Sequence, residues 1–144
     1  MRKLKGFTII ELLIVVAIVG ILATIVIVSL REASERSRDA KIVTDVVQVR
    51  KIAEEMYIQE FSYDNLCSGG DLNTSYSESL QTIKDDIENY YGGSNIITCY
   101  SGQRSYCVSA PLTGATTQYF CIDDEGNNTE AASDPCVNAD STCE

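Results

Sequence analysis

The chain has 144 residues, no histidine, no tryptophan and a formal net charge of −10. That length allows one membrane helix and one small domain, and the missing histidine removes Ser-His and Cys-His dyads and any imidazole metal ligand. The charge is uneven: residues 1–6 carry +3 and residues 61–144 carry −11, which argues against direct nucleic-acid binding by the distal half and predicts an acidic, solvated surface.

The first element sets the problem. Arg2, Lys3 and Lys5 precede Gly6, and an apolar run then extends from Phe7 to Leu30, interrupted by the single charge of Glu11. Roughly 20 helical residues cross a hydrocarbon core about 30 Å thick, so the run is long enough to span. It exceeds the apolar stretch of about 7–15 residues in a secretion signal, and no small-residue cut site ends it. A carboxylate at the centre of a membrane helix costs about 2.5–3.5 kcal/mol, and less toward an interface. Either Glu11 lies at headgroup depth or it needs a cation, and the run offers none before Arg31. Cutting the chain after Gly6 would supply one, since Phe7 would then carry a free ammonium one helical turn before Glu11.

The stretch KGFTIIELLIVVAIVGILA resembles the N-terminal signature of type IV pilins and of the pseudopilins of secretion and DNA-uptake machines. The resemblance covers the basic leader, Gly6, Phe7, Thr8, Glu11 and the apolar run, about the first fifth of the chain. It implies that a prepilin peptidase cuts between Gly6 and Phe7 on the cytoplasmic side and N-methylates Phe7. It further implies that Glu11 pairs with the Phe7 ammonium of a neighbouring copy as an inner-membrane platform assembles a helical homopolymer from a pool held in the bilayer. Gly20 stands where many pilins have a glycine that loosens the helix, whereas the proline that many carry at the position of Val28 is missing here. Positive flanks do not orient the span, because Arg31, Arg36, Arg38 and Lys41 follow it. The cysteine-rich distal half places the C-terminus outside, in agreement with the resemblance.

Residues 31–60 contain neither glycine nor proline, and Ile42, Val46, Val49, Ile52, Ala53, Met56 and Tyr57 recur at steps of three and four. That is one apolar face of a helix. Nothing breaks the chain at Leu30, so one helix over 7–60, roughly 80 Å long, is predicted, with an amphipathic second half that needs a cover. Phe61 to Gly70 reads as a loop. Residues 77–91 place Leu80, Ile83, Ile87 and Tyr90 at helical steps, and Gly92-Gly93 supplies the stop. Strand-like runs follow at Asn95–Ser101, Arg104–Ala110 and Thr116–Asp123, with turns at Gly102 and Gly114.

All six cysteines (Cys67, Cys99, Cys107, Cys121, Cys136 and Cys143) lie beyond residue 60. An even count in a small domain past a membrane anchor points to an oxidising compartment and disulfides, and with no C-x-x-C a zinc site is not expected. An antiparallel meander sets Cys99, Cys107 and Cys121 roughly opposite one another. Two of these can pair while the third looks elsewhere, Cys67 being one choice, and Cys136 with Cys143 can close a C-terminal loop.

After the third strand the chain turns polar and reads as an exposed, loosely held tail. Within it, Asp123, Asp124, Glu125 and Asp134 are a weak Ca²⁺ candidate, by likeness to loops in some major pseudopilins, although their spacing is not that of an EF-hand. Asn73 and Asn127 each stand in N-x-[ST]. The acidic pairs Asp85-Asp86 and Asp123-Asp124 read as solvated faces rather than acid–base machinery, so no enzyme and no cofactor are expected.

The predicted fold is therefore α+β and type IV pilin-like: a cleaved leader over 1–6, a transmembrane and assembly half-helix over 7–30, an amphipathic half over 31–60, and a disulfide-containing head over 61–144. The expected function is a structural pilus subunit, moving from the inner membrane to an extracellular fibre. A pseudopilin and a non-polymeric membrane-tethered binding domain are the alternatives.

Overall fold

The computed structural model describes residues 6–114, 118–137 and 142–143. Arg2, Lys3 and Lys5 of the basic leader, and Thr116 at the predicted start of the third strand, lie outside the described residues. Helix α1 (Ile9–Glu60) is followed by β1 (Cys67–Ser68), β2 (Asp71–Leu72), α2 (Glu78–Tyr91), β3 (Thr98–Ser101), β4 (Tyr106–Pro111), β5 (Tyr119–Asp123) and β6 (Asn128–Ala131). The chain divides into two compact units between Ser34 and Glu35.

In the first unit, α1 is helical from Ile9 through both Gly20 and Val28, with no break at either. Its large apolar side chains from Ile9 to Leu30 are exposed wherever described, and α1 is long and apolar enough to cross a membrane. The few hydroxyls in the run are turned onto their own helix. Thr24 Oγ1 donates to the Ile21 carbonyl at 2.7 Å, and Ser29 Oγ to the Ile25 carbonyl at 3.2 Å. An unpaired donor in hydrocarbon would cost several kcal/mol, so these bonds are what a lipid environment demands.

In the second unit the predicted stripe on α1 is buried: Ile42, Val46, Val49, Ala53 and Met56 are at most 1% exposed, while Ile52 and Tyr57 are partly covered. Helix α2 closes on them with Leu80, Ile83 and Ile87. Ser77 caps its start by accepting the Ser79 N–H, and Gly92 ends it in the left-handed conformation at φ 87°, donating to the Glu88 carbonyl at 2.8 Å. Only glycine adopts that conformation without a side-chain penalty. An ion pair from Lys84 to Asp71 ties α2 to β2.

Strands β3-β4-β5-β6 form an antiparallel sheet in sequence order. The register sets Cys99 opposite Val108, and Val108 opposite Ile122. These residues, with Tyr106, Ala110 and Phe120, line the sheet face that packs on the helices. Tyr100, Cys107, Ser109, Cys121 and Asp123 occupy alternate positions and therefore the opposite face. Every residue of β4 is buried, because both faces are covered.

Three expectations are corrected. The 61–70 loop contains β1, which turns through Gly69 and Gly70, at φ 66° and 89°, into an antiparallel hairpin with β2. Two consecutive left-handed residues match the twist of a tight hairpin, which is why a glycine pair stands there. The tail after β5 is not loose: β6 pairs with β5 along four residues, and Cys136 and Cys143 are buried. Asp123 is not a solvated acid but is 0% exposed.

Between α1 and α2, Asp45 and Asp86 line a shared groove with Gln48, Lys51 and Thr82. Burial first, and the neighbouring Asp86 charge second, push the Asp45 carboxyl above its ordinary value, with Lys41 opposing them. A folded-state value raised above the unfolded one adds stability that is full below the unfolded pKa and is lost as pH rises through the folded pKa. Asp45→Asn is therefore expected to raise the urea midpoint at pH 7 and to leave it unchanged near pH 3. A midpoint that shifts equally at both pH values would contradict this origin.

Candidate functional site

The start of α1 is the chemically distinctive place. Gly6 and Phe7 precede the helix, are exposed (Phe7 73%) and carry no regular structure, so the bond between them is open to attack. Thr8 is the residue before the first helical position, and Glu11 lies three residues on. Thr8 N–H donates to Glu11 Oε2 at 2.9 Å, Thr8 Oγ1 donates to the same oxygen at 2.8 Å, and the Glu11 N–H donates back to Thr8 Oγ1 at 3.2 Å. This is a reciprocal capping box, which satisfies two of the amide donors that a helix start leaves unpaired. It also puts the one charge of the apolar run at the positive end of the helix dipole. The pattern Thr8-x-x-Glu11 was visible in the sequence, but Glu11 was weighed there against headgroup depth and a cation at Phe7 rather than against its own helix start.

Gly20 lies mid-helix, and nothing stands within 4 Å of where a Cβ would sit. Its missing side chain is therefore not required by packing within the chain. Gly costs a helix interior about 1 kcal/mol relative to Ala, so α1 is intrinsically weaker there.

All six cysteines are bonded, as Cys67–Cys99, Cys107–Cys136 and Cys121–Cys143. Of the suggested pairings, Cys67 with a strand cysteine is present. A bond between two of the three strand cysteines is not, and neither is Cys136–Cys143. The pleat explains both corrections: Cys99 sits on the helix-facing side of the sheet, away from Cys107 and Cys121. These two share the far face, diagonal to one another, and each bonds instead to the segment that crosses over them. The two bridges lie against each other, with Cys121 Sγ 3.5 Å from Cys107 Sγ and 3.6 Å from Cys136 Sγ. Cys107, Cys121 and Cys143 bring three sulfurs together, but all three are spent in disulfides and offer no thiolate to a metal.

Three of the four acids of the calcium candidate are taken up by structural hydrogen bonds. Asp123 accepts the Asn127 N–H at 2.8 Å, the Asn127 side-chain amide at 3.0 Å and the Cys143 N–H at 3.1 Å. Asp134 accepts from Ser109, Thr98 and the Cys136 N–H. Asp124 accepts the Tyr106 N–H, while Glu125 is exposed. Among the described residues, no three of these carboxylates come within reach of one ion. The side-chain amides of Asn73 and Asn127 donate to the Asn65 carbonyl and to Asp123.

A capped apolar helix long enough to span a bilayer, joined to a disulfide-stapled α+β head, is a pilin-type architecture. Residues 1–27 match the family model described as the prokaryotic N-terminal methylation motif. The type IV wide pilus major component PilA4 of Thermus thermophilus is 32% identical over 126 residues, covering 88% of this chain and 87% of that protein. The type IV major fimbrial protein FimA of Dichelobacter nodosus is 46% identical over 118 residues, covering 81% and 70%. The type II secretion system core protein G of Vibrio cholerae is 44% identical over 57 residues, covering 40% and 38%. No solved structure matches. The chain belongs to the type IV pilin family.

Proposed function

We propose that the chain is a structural subunit of a type IV pilus, drawn from a membrane pool into an extracellular helical fibre that serves adhesion, motility or DNA uptake. A prepilin peptidase removes residues 1–6 and N-methylates Phe7. The subunit then waits in the inner membrane as a single-pass protein with its C-terminus outside. An assembly platform transfers the apolar helix from lipid to a bundle of like helices. The carboxylate of Glu11 meets the Phe7 ammonium of the neighbouring copy, and registers that leave the acid unpaired are penalised. Such a contact joins unlike surfaces and does not close, which is the geometry of a filament. Gly20 provides the loosening point, and the acidic head forms the fibre surface without binding nucleic acid directly.

The observation that carries this reading is the exposure of every described apolar side chain from Ile9 to Leu30, a stretch of α1 whose one carboxylate is Glu11. Only lipid or further copies can cover that surface. Intact-mass and N-terminal analysis of sheared surface material, reduced and unreduced, tests it. A chain beginning at N-methyl-Phe7, with three disulfides, is the expected result. Recovery of the chain with residues 1–6 attached and never in a polymer would overturn it, in favour of a tethered binding domain.

A pseudopilin is the second reading, favoured by the likeness to the secretion core protein. The pilin reading is preferred because the likeness to PilA4 and FimA spans most of the chain. Long fibres at native expression support a pilin, whereas short fibres seen only on overproduction support a pseudopilin.

A further inference from the structure

Two of the three bridges form one cluster of sulfurs. Cys121 Sγ lies 3.5 Å from Cys107 Sγ and 3.6 Å from Cys136 Sγ, and the sulfurs of Cys107, Cys121 and Cys143 all lie within 4.8 Å of one another. Cys107 Sγ is also 3.9 Å from the Thr142 carbonyl oxygen, beside Cys143. Cys107, Cys121 and Cys136 are 0% exposed and Cys143 is 5% exposed, so Cys143 is where an external thiol gains access. The third bridge is set apart, with Cys99 on the helix-facing side of the sheet.

Disulfides exchange partners when a thiolate attacks one of their sulfurs. We propose that these four cysteines are a thiol-exchange site: a monothiol entering at Cys143 converts the pairing Cys107–Cys136 and Cys121–Cys143 into Cys121–Cys136 and Cys107–Cys143. The incoming thiolate bonds to Cys143 Sγ, and Cys121 leaves as a thiolate. Cys121 attacks Cys136 Sγ, and Cys107 leaves. Cys107 attacks Cys143 Sγ, and the monothiol departs as the thiolate that arrived. Three S–S bonds form and three break, with no net oxidation or reduction. While bonded to Cys143, Cys121 Sγ stands almost equidistant from the two sulfurs of the neighbouring bridge, beside that bond rather than in line with it. Release from Cys143 frees the Cys121 side chain to turn into line, so the intact bridge is a latch. Attack on Cys107 Sγ is disfavoured by the sheet, where Cys107 and Cys121 are diagonal neighbours. Such neighbours stand about 7–8 Å apart, and cysteines with Cα atoms more than about 7 Å apart cannot be bridged without backbone movement.

The test uses the full chain in detergent micelles with a catalytic amount of reduced glutathione. Exchange is quenched with acid, and the bridges are mapped by mass spectrometry of proteolytic peptides. Cys121–Cys136 and Cys107–Cys143 are expected together in at least about a tenth of the chains, a tenfold ratio being a small difference between two pairings that fasten the same segment. Cys67–Cys99 is expected to stay intact. Retention of the original pairing alone overturns the proposal, and so do products that include Cys67 or Cys99, which would report unfolding. Cys143→Ser holds the first intermediate without added thiol. Acid quench followed by alkylation in denaturant is expected to place the free thiol at Cys107, with Cys121–Cys136 closed, in at least about a tenth of the chains. Label at Cys121 alone overturns the proposal. The glutathione experiment decides the question even where Cys143→Ser fails to fold.

Discussion

Glu11→Ala is expected to leave membrane insertion intact and to abolish surface fibres. Removing the carboxylate makes the apolar run more lipophilic, so the pool should persist. In the fibre, however, the neighbour's Phe7 ammonium would be buried among helices without its counter-charge. Breaking a buried pair by deleting one partner costs about 3–5 kcal/mol, which is more than a hundredfold in the equilibrium for each added subunit. Glu11→Gln sharpens the test. Glutamine completes the capping box as glutamate does, so it keeps the helix start and loses only the charge. Both variants should give full membrane fractions and empty sheared fractions on immunoblots. Normal fibres from Glu11→Ala would contradict the pairing model.

The second large effect lies in the head. Cys121→Ala with Cys143→Ala is expected to destabilise the folded protein in detergent by about 2–5 kcal/mol, read as a lower urea midpoint. The bridge joins residues 22 apart, and its loss frees the segment that covers the far face of the sheet. That segment also supplies the Cys143 N–H to the fully buried carboxylate of Asp123. Cutting the bridge thus removes a chain constraint and loosens a partner of a buried charge, and a half-satisfied buried carboxylate is costly. Cys67→Ala with Cys99→Ala should cost less, because Cys67 is only partly buried and no buried acid depends on that bridge. An unchanged midpoint in the Cys121/Cys143 variant would contradict this account.

What the sequence disclosed follows from how local each signal is. The stripe from Ile42 to Met56 and the helix ending at Gly92 are periodic or terminal features a few residues long, and both stand in the structure as read. The three predicted strands are present, the first two starting later than expected and the second running on to Pro111. Strand β6, Asn-Thr-Glu-Ala, escaped notice because it is an edge strand with alternate exposed positions and no apolar run. Asp123 was hidden by company: beside Asp124, Glu125 and Gly126 it reads as turn chemistry, and only the arriving Cys143 makes it interior. The disulfide pairing depends on which face of the sheet each cysteine takes. A one-residue change of register reverses that, so cysteine spacing alone could not choose. The Thr8–Glu11 box was legible, since its two residues are three apart and it needs no tertiary information.

Cys121 finds its partner at Cys143, beyond both cysteines of each of the other two bridges. A polypeptide made from the N-terminus can close the Cys67–Cys99 ring early, and the Cys107–Cys136 ring before the Cys121–Cys143 ring. Any product truncated ahead of position 143 would carry an unmated thiol at Cys121, open to mixed disulfides with other molecules. The last of the three bridges to close thereby separates chains that reach Cys143 from shorter fragments.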